Sequence, residues 1–177
     1  KPLGVGTILA AEMAMTLIPG LILGEAVAAA LVSMTRPLGP VAAVLAGDGH
    51  AIAPAHAMTD VTGFGLAGHL LEILDASSDG SVPETSVGAE LRLDAIPLLS
   101  GALMLAEAGI ASSLAPANRG TCVGRIGGAE SPRKALLFDP QTGGGLLAVV
   151  AADQASTVLA ALQDLGEEAA IIGRIIP

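Results

Sequence analysis

Apolar residues crowd the first third of the chain, and glycine, proline and charge divide them into short segments. Leu3-Gly4-Val5-Gly6-Thr7-Ile8-Leu9 predicts a strand with close backbone approach at its glycines. Val27, Leu31 and Met34 recur at helical spacing and predict a helix over Gly24 to Met34. Pro37 and Pro40 interrupt, Val41 to Ala46 predicts a second short helix, and Gly47-Asp48-Gly49 a turn. Ala55 to Thr59 reads as a short strand. A helix follows over Gly63 to Ala76, with Leu66, Leu70, Ile73 and Leu74 on one face. Ser77 to Gly88 is polar and predicts a surface loop. Val87 to Leu93 predicts a strand, and Ser100 to Ala108 a helix ended by Gly109.

Ile110 to Glu130 is glycine-rich and without clear period. It predicts an irregular loop, or a segment ordered by a partner. Pro132 to Leu136 predicts a helical turn and Leu146 to Val150 a buried strand. Asp153 to Leu165 carries Val158, Leu159, Leu162 and Leu165 on one helical face, capped by Gly166. Ala170 to Ile176 is apolar on both faces, as a central strand would be. Strands and helices alternate, which predicts an α/β or α+β domain over residues 1–177, its helices covering a mixed sheet.

Composition narrows the classes. With 52% hydrophobic and 14% charged residues, a disordered tail is excluded. A membrane span needs about 20 consecutive apolar residues. The richest region, Leu3 to Met34, is divided by Glu12, Pro19, Gly20 and Glu25, so no membrane is expected and the cytoplasm is the predicted location. Net charge is −9 with only 8 Lys and Arg, and Trp and Tyr are absent. That removes both the basic footprint and the stacking platform of a nucleic-acid binder. Cys122 is the only cysteine, which fits a reducing compartment and predicts a small packed side chain. The chain does not start with Met, which fits a fragment.

The two phenylalanines, Phe64 and Phe138, fall in two glycine-rich motifs. The first runs from Thr59 to His69 and sits where a strand turns into a helix. It supports three readings. Thr62 and Asp60 can cap the helix and nothing more. Gly63, Gly65 and Gly68 fit G-x-G-x-x-G, with Asp94 near the place of a ribose-binding acid, which suggests a dinucleotide site. Finally, Asp60 is a hard oxygen ligand at the mouth of a glycine-lined helix start. Mg²⁺ takes one or two carboxylates and completes its shell with waters and substrate phosphates. Helix N–H groups can cradle the phosphate. One Asp is no magnesium site by itself, so its partners would come from elsewhere.

The second motif, Asp139-Pro140-Gln141-Thr142-Gly143-Gly144-Gly145, allows positive φ and close approach to a ligand. From composition alone a plain turn of the chain, with no ligand, is the preferred reading. His50, His56 and His69 have no second His at ligand spacing, so zinc is not expected.

The residues Lys1-Pro2-Leu3-Gly4, Thr59 to Leu66 with Gly68 and His69, Gly88 to Leu91, Ile96-Pro97, Gly101-Ala102, Asn118, and Leu136 to Thr142 with Gly144-Gly145 carry a resemblance. In this order, across nearly the whole chain, they resemble the C-terminal domain of the selenide, water dikinases, within the aminoimidazole ribonucleotide synthetase group. The resemblance implies helices on a mixed sheet and an N-terminal partner domain that binds ATP and forms a homodimer. It implies the conversion of ATP, selenide and water to selenophosphate, AMP and phosphate. Asp60 then stands at a Mg²⁺ ligand position, and Lys1, Thr59, Gly63, Gly65, Gln141, Thr142 and Gly144 at cofactor-binding positions. The reactive Cys or selenocysteine and the catalytic Lys of such enzymes lie on the N-terminal half, so this chain alone is expected to be inactive. Gly143 stands where the pattern has Ser, and Ala117 where it often has Arg. Those departures keep a non-catalytic module of the same fold open beside the dinucleotide reading.

Overall fold

A computed structural model describes residues 1–14, 24–48, 52–77 and 87–177. The elements run α1 (Val5–Ala14), α2 (Gly24–Thr35), α3 (Gly39–Leu45), β1 (Ala57–Asp60), α4 (Gly65–Ser77), β2 (Gly88–Leu91), α5 (Ala102–Glu107), α6 (Ala115–Thr121), α7 (Pro132–Ala135), β3 (Leu146–Val149), α8 (Ala155–Asp164) and β4 (Gly173–Ile176). Short 3₁₀ turns lie at Leu93–Ala95 and Leu136–Phe138. Gly49, His50 and the expected loop over residues 78–86 lie outside the described residues.

Among the described residues the strands form two antiparallel pairs, β1 with β3 and β2 with β4. Asp60 lies opposite Leu146 in the first, and Glu90 opposite Arg174 in the second. One parallel bridge joins Leu3 to Leu98. The class of helices packed on strands stands, with small antiparallel ladders in place of one continuous sheet. The stretch before Ile176 is therefore no central strand. β4 has one neighbour among the described residues, and Ile171 and Ile175 are each 38% exposed.

The first element is corrected outright. Val5 to Ala14 is a helix, and only Leu3 keeps strand character. The glycines at positions 4 and 6 suggested alternation, but burial follows a spacing of three. Val5, Ile8 and Ala11 are all within 2% of full burial, which is a helical stripe. They pack with Ala26 and Ala30 of α2, Leu99, Ala102 and Leu105 into one core cluster. Gly4, at φ +120°, turns the chain into α1, and a Cβ there would meet that of Ala102.

A second core lies under α4. Leu66, Ala67 and Ile73 pack on Leu3, Val61, Ile96, Cys122, Leu137, Phe138 and Leu147. A third joins α3 to α8 through Val41, Val44, Leu45, Ile52 and Val158. Leu165, placed by sequence on the apolar face of α8, is 44% exposed beyond the helix end. The irregular segment contains α6, with Pro116 in its first turn and Asn118 and Cys122 buried beneath it. Among the described residues no single helix is long and apolar enough to cross a membrane. The pair α2 and α3 passes that test only together, with a 60° bend between them.

Candidate functional site

The two glycine-rich motifs meet. Val61 N–H donates to Gly145 O (2.8 Å), and Gln141 N–H donates to Thr62 O (3.0 Å). Lys1 Nζ donates to Gly143 O (2.6 Å), which brings the start of the chain onto the same loop. Partial burial lowers the Lys1 ammonium from the usual lysine value, against the opposing pull of Glu167. A Cβ on Gly144 would meet Val61 O, and one on Gly145 would meet the Lys1 backbone. Both glycines are therefore required by close approach of main chain. Gly143 has φ +55° and lies against Met34 O, so the Gly that departs from the Ser of the pattern suits this backbone.

Asp60 closes β1 next to this contact. Its side chain is exposed and has no ion pair or side-chain hydrogen bond among the described residues. The helix that follows begins at Gly65, φ +73°, whose Cβ position faces Leu137 O at 2.7 Å. Gly63 has nothing near its Cβ position and is open to solvent. Phe64 beside it is 56% exposed.

Thr62 does not cap the helix as the simplest reading expected. Its Oγ1 pairs with His69 Nε2 (3.2 Å), and His69 Nδ1 pairs with Glu72 Oε2 (2.9 Å). His69 is buried, and its ring lies 5.7 Å from that of Phe64. The histidine is thus committed to holding the turn.

The second motif turns its polar side chains inward. Asp139 Oδ1 accepts from Thr7 Oγ1 (2.8 Å), and Oδ2 accepts from Gly6 N–H (3.0 Å) and Gln141 Nε2 (2.9 Å). Gln141 Oε1 accepts from the N–H groups of Gly4 and Val5 (3.2 and 3.3 Å). Together they satisfy the donors that a helix start leaves open, here those of α1. Burial pushes the Asp139 carboxyl up to about 6, against the hydrogen bonds from Thr7, Gln141 and Gly6 that favour its charged form. Gln141, nominated for cofactor binding, spends its amide on this cap. Thr142 is exposed beyond it, and among the described residues Thr59 Oγ1 donates only to the Asp60 carbonyl, at 3.4 Å.

So the structure gathers Asp60, Gly63, Gly65, Lys1, Thr142 and Gly144 around one loop contact. Asp139 and Asn118 carry structural roles that sequence reading did not assign. Asn118 and Cys122, four apart after Pro116, were the available helical signal. The dinucleotide reading fails on topology. That motif needs β1 and the strand after α4 parallel in one sheet, and here β1 and β2 belong to different antiparallel pairs.

A cavity of about 770 Å³ lies elsewhere, between the two strand pairs. Leu, Val, Ile and Ala wall it, and Lys1 is the one nominated residue on its lining. Its size suits a ligand, but convergent polar groups mark the loop contact instead. Among the described residues no group of three His, Cys, Asp or Glu side chains is placed to hold a metal. Asp60 alone fits a metal only as one ligand of a shared shell.

Comparison with known proteins agrees with this fold. The selenide, water dikinase of Desulfitobacterium hafniense is 38% identical over 182 residues, covering 100% of this chain and 47% of the relative. That of Pseudomonas straminea is 41% identical over 184 residues, covering 99% and 45%. The crystal structure of E. coli HypE superposes with a TM-score of 0.55 at 25% identity, over 99% of this chain and 41% of that one. The chain spans about half the length of the curated relatives it matches. Residues 3–177 match the family described as AIR synthase related protein, C-terminal domain, and to that family the chain belongs.

Proposed function

We propose that this chain is the C-terminal domain of a selenide, water dikinase, working on a site shared with an N-terminal ATP-binding domain. The observation that carries the reading is Asp60: a carboxylate exposed at the end of β1 and without a side-chain partner among the described residues, beside glycine loops packed to main-chain contact. An unpaired carboxylate there does nothing for the fold, and one hard oxygen is what a shared Mg²⁺ shell takes from a single domain. Such an ion, when bound, neutralises phosphate charge on ATP. Gly63 keeps the approach to the α4 start free of a side chain, Gly65 lets the turn pack on the Leu137 to Asp139 main chain, Thr142 offers a hydroxyl, and Lys1 holds the Gly143 carbonyl. Gln141 and Asp139 shape the loop from beneath. The absence of a metal-binding group of three within the described residues fits a domain that completes its site with a neighbour. The relatives are named selenide, water dikinases, and the reaction proposed for the whole protein is ATP, selenide and water to selenophosphate, AMP and phosphate.

The test joins the chain to the N-terminal half of its own gene product and measures selenide-dependent AMP formation. Asp60→Asn is expected to lower the rate at least about 100-fold, by removing a charge-neutralising ligand. An unchanged rate removes Asp60 from the metal site.

A further inference from the structure

The loop contact has a third member. Asn118 lies on α6, is 7% exposed, and uses both hydrogens of its amide nitrogen. Nδ2 donates to Gly63 O at 2.7 Å and to Phe138 O at 3.0 Å. The first acceptor sits in the turn after Asp60, and the second immediately precedes Asp139. On the β1–β3 side the same two motifs are tied by main chain, through Val61 to Gly145 and Gln141 to Thr62. On the other side Asn118 is the tie, from a helix with no backbone hydrogen bond to either loop among the described residues. The Arg119 guanidinium sits 5.7 Å from the centre of the Phe138 ring, and Arg119 also pairs with Glu130 at 2.5 Å. The ring contact seats α6 against Phe138 at the head of the second motif, and the Glu130 pair ties it to the segment before α7.

We propose that Asn118 is a positioning residue that sets the Gly63 turn against the loop from Asp139 to Gly145, and so sets where the carboxylate of Asp60 stands. The chemistry requires an amide. Two carbonyl oxygens converge, so the side chain between them must supply two N–H donors from one atom, which Asn does and Asp or Leu does not. The Phe138 carbonyl is buried and costly to leave without its donor, and loss of the bond to Gly63 O at the same time frees the turn. It has little room to move inward, because the Cβ position of Gly65 already lies 2.7 Å from Leu137 O and 2.9 Å from the Phe138 carbonyl carbon. The displacement is therefore outward, toward the face that carries Asp60.

The catalytic consequence rests on the dikinase reading, whereas the clamp itself does not. The experiment uses the full-length protein and the variants Asn118→Ala and Asn118→Asp. Amide exchange is followed by mass spectrometry in peptides covering residues 61–66 and 138–145. Both are expected to exchange about tenfold faster or more, together, while the ladder peptides 57–60 and 146–149 hold their protection. Unchanged exchange, or a change in one loop only, overturns the clamp. In AMP formation, kcat is expected to fall about 10- to 100-fold with the ATP KM within about twofold, as misplacement without lost binding predicts. Coupled exchange with an unaltered kcat, when Asp60→Asn is inactive, overturns the positioning role. If the wild-type protein forms no AMP, the dikinase reading fails and the exchange comparison still decides the clamp. Should Asn118→Ala not fold, Asn118→Ser retains one donor and is expected to lie between wild type and Asn118→Asp in both measurements.

Discussion

Asp60 and Asp139 both stand at glycine-rich turns where β1 and β3 meet, and they have opposite fates. Asp139 is 1% exposed and accepts hydrogen bonds from Thr7, Gly6 and Gln141. Asp60 is exposed and accepts none from a side chain among the described residues. The glycines follow suit. Gly144 has no room for a Cβ, while Gly63 has open space. One motif is a piece of scaffold and the other a face. A glycine-rich loop with an acid is thus no site by composition. What separates the two is where each carboxylate finds its partners: inside the chain for Asp139 and, on the proposed reading, outside it for Asp60.

The largest expected effect comes from breaking the scaffold side. Asp139→Ala strips an acceptor from Gly6 and Thr7 at the start of α1 and from the Gln141 amide, and is expected to cost about 3 kcal/mol in urea unfolding. The same carboxyl gives a pH signature. Its folded value is about 6, above the ordinary 3.8. Between those values the folded chain keeps a proton that the unfolded chain has lost, so stability falls as pH rises from about 4 to about 6. Above 6 the loss is complete, on the order of 3 kcal/mol for a shift of this size. Below the unfolded value both states are protonated and the contribution returns in full. The measurement is the difference between wild type and Asp139→Asn across that window, since Asn cannot titrate. A constant difference would show the carboxyl to be unshifted.

How far the sequence shows this contrast depends on range. Helices α4 and α5 and strand β3 were legible because their apolar spacing is local and long enough to read. Helix α1 was not, since Gly4 and Gly6 imitate alternation and its start is held by Asp139 and Gln141, more than 130 residues away in sequence. Helix α6 was hidden because it buries chiefly Asn118 and Cys122, one of them polar. Asp60 was singled out as an acid beside a glycine-lined helix start, but spacing alone gave no sign that it lacks a side-chain partner among the described residues. Gln141 was nominated as a polar group beside bare backbone, and only the fold shows that its amide faces α1.

The glycines sharpen the comparison at smaller magnitude. Gly144→Ala drives a methyl into Val61 O and within 2.9 Å of the Gln141 Cβ. The β1–β3 edge must shift, at about 2 kcal/mol. Gly63→Ala meets nothing within 4 Å and has no positive φ to strain, so its stability is expected to change by less than about 0.5 kcal/mol. Equal costs at the two positions, read from urea midpoints, would erase the distinction between scaffold and face.

The smallest effect on stability belongs to Asp60→Asn. No donor among the described residues loses a partner, the side chain is already in water, and the change is isosteric. The urea midpoint is expected to move by less than about 0.5 kcal/mol, while the same substitution is expected to lower AMP formation at least about 100-fold in the joined protein. That pairing gives the test its force. A residue whose removal leaves the fold intact and the reaction dead acts on something outside the fold. If Asp60→Asn instead cost as much stability as Asp139→Ala, the carboxylate would be holding the turn itself, and both motifs would be scaffold.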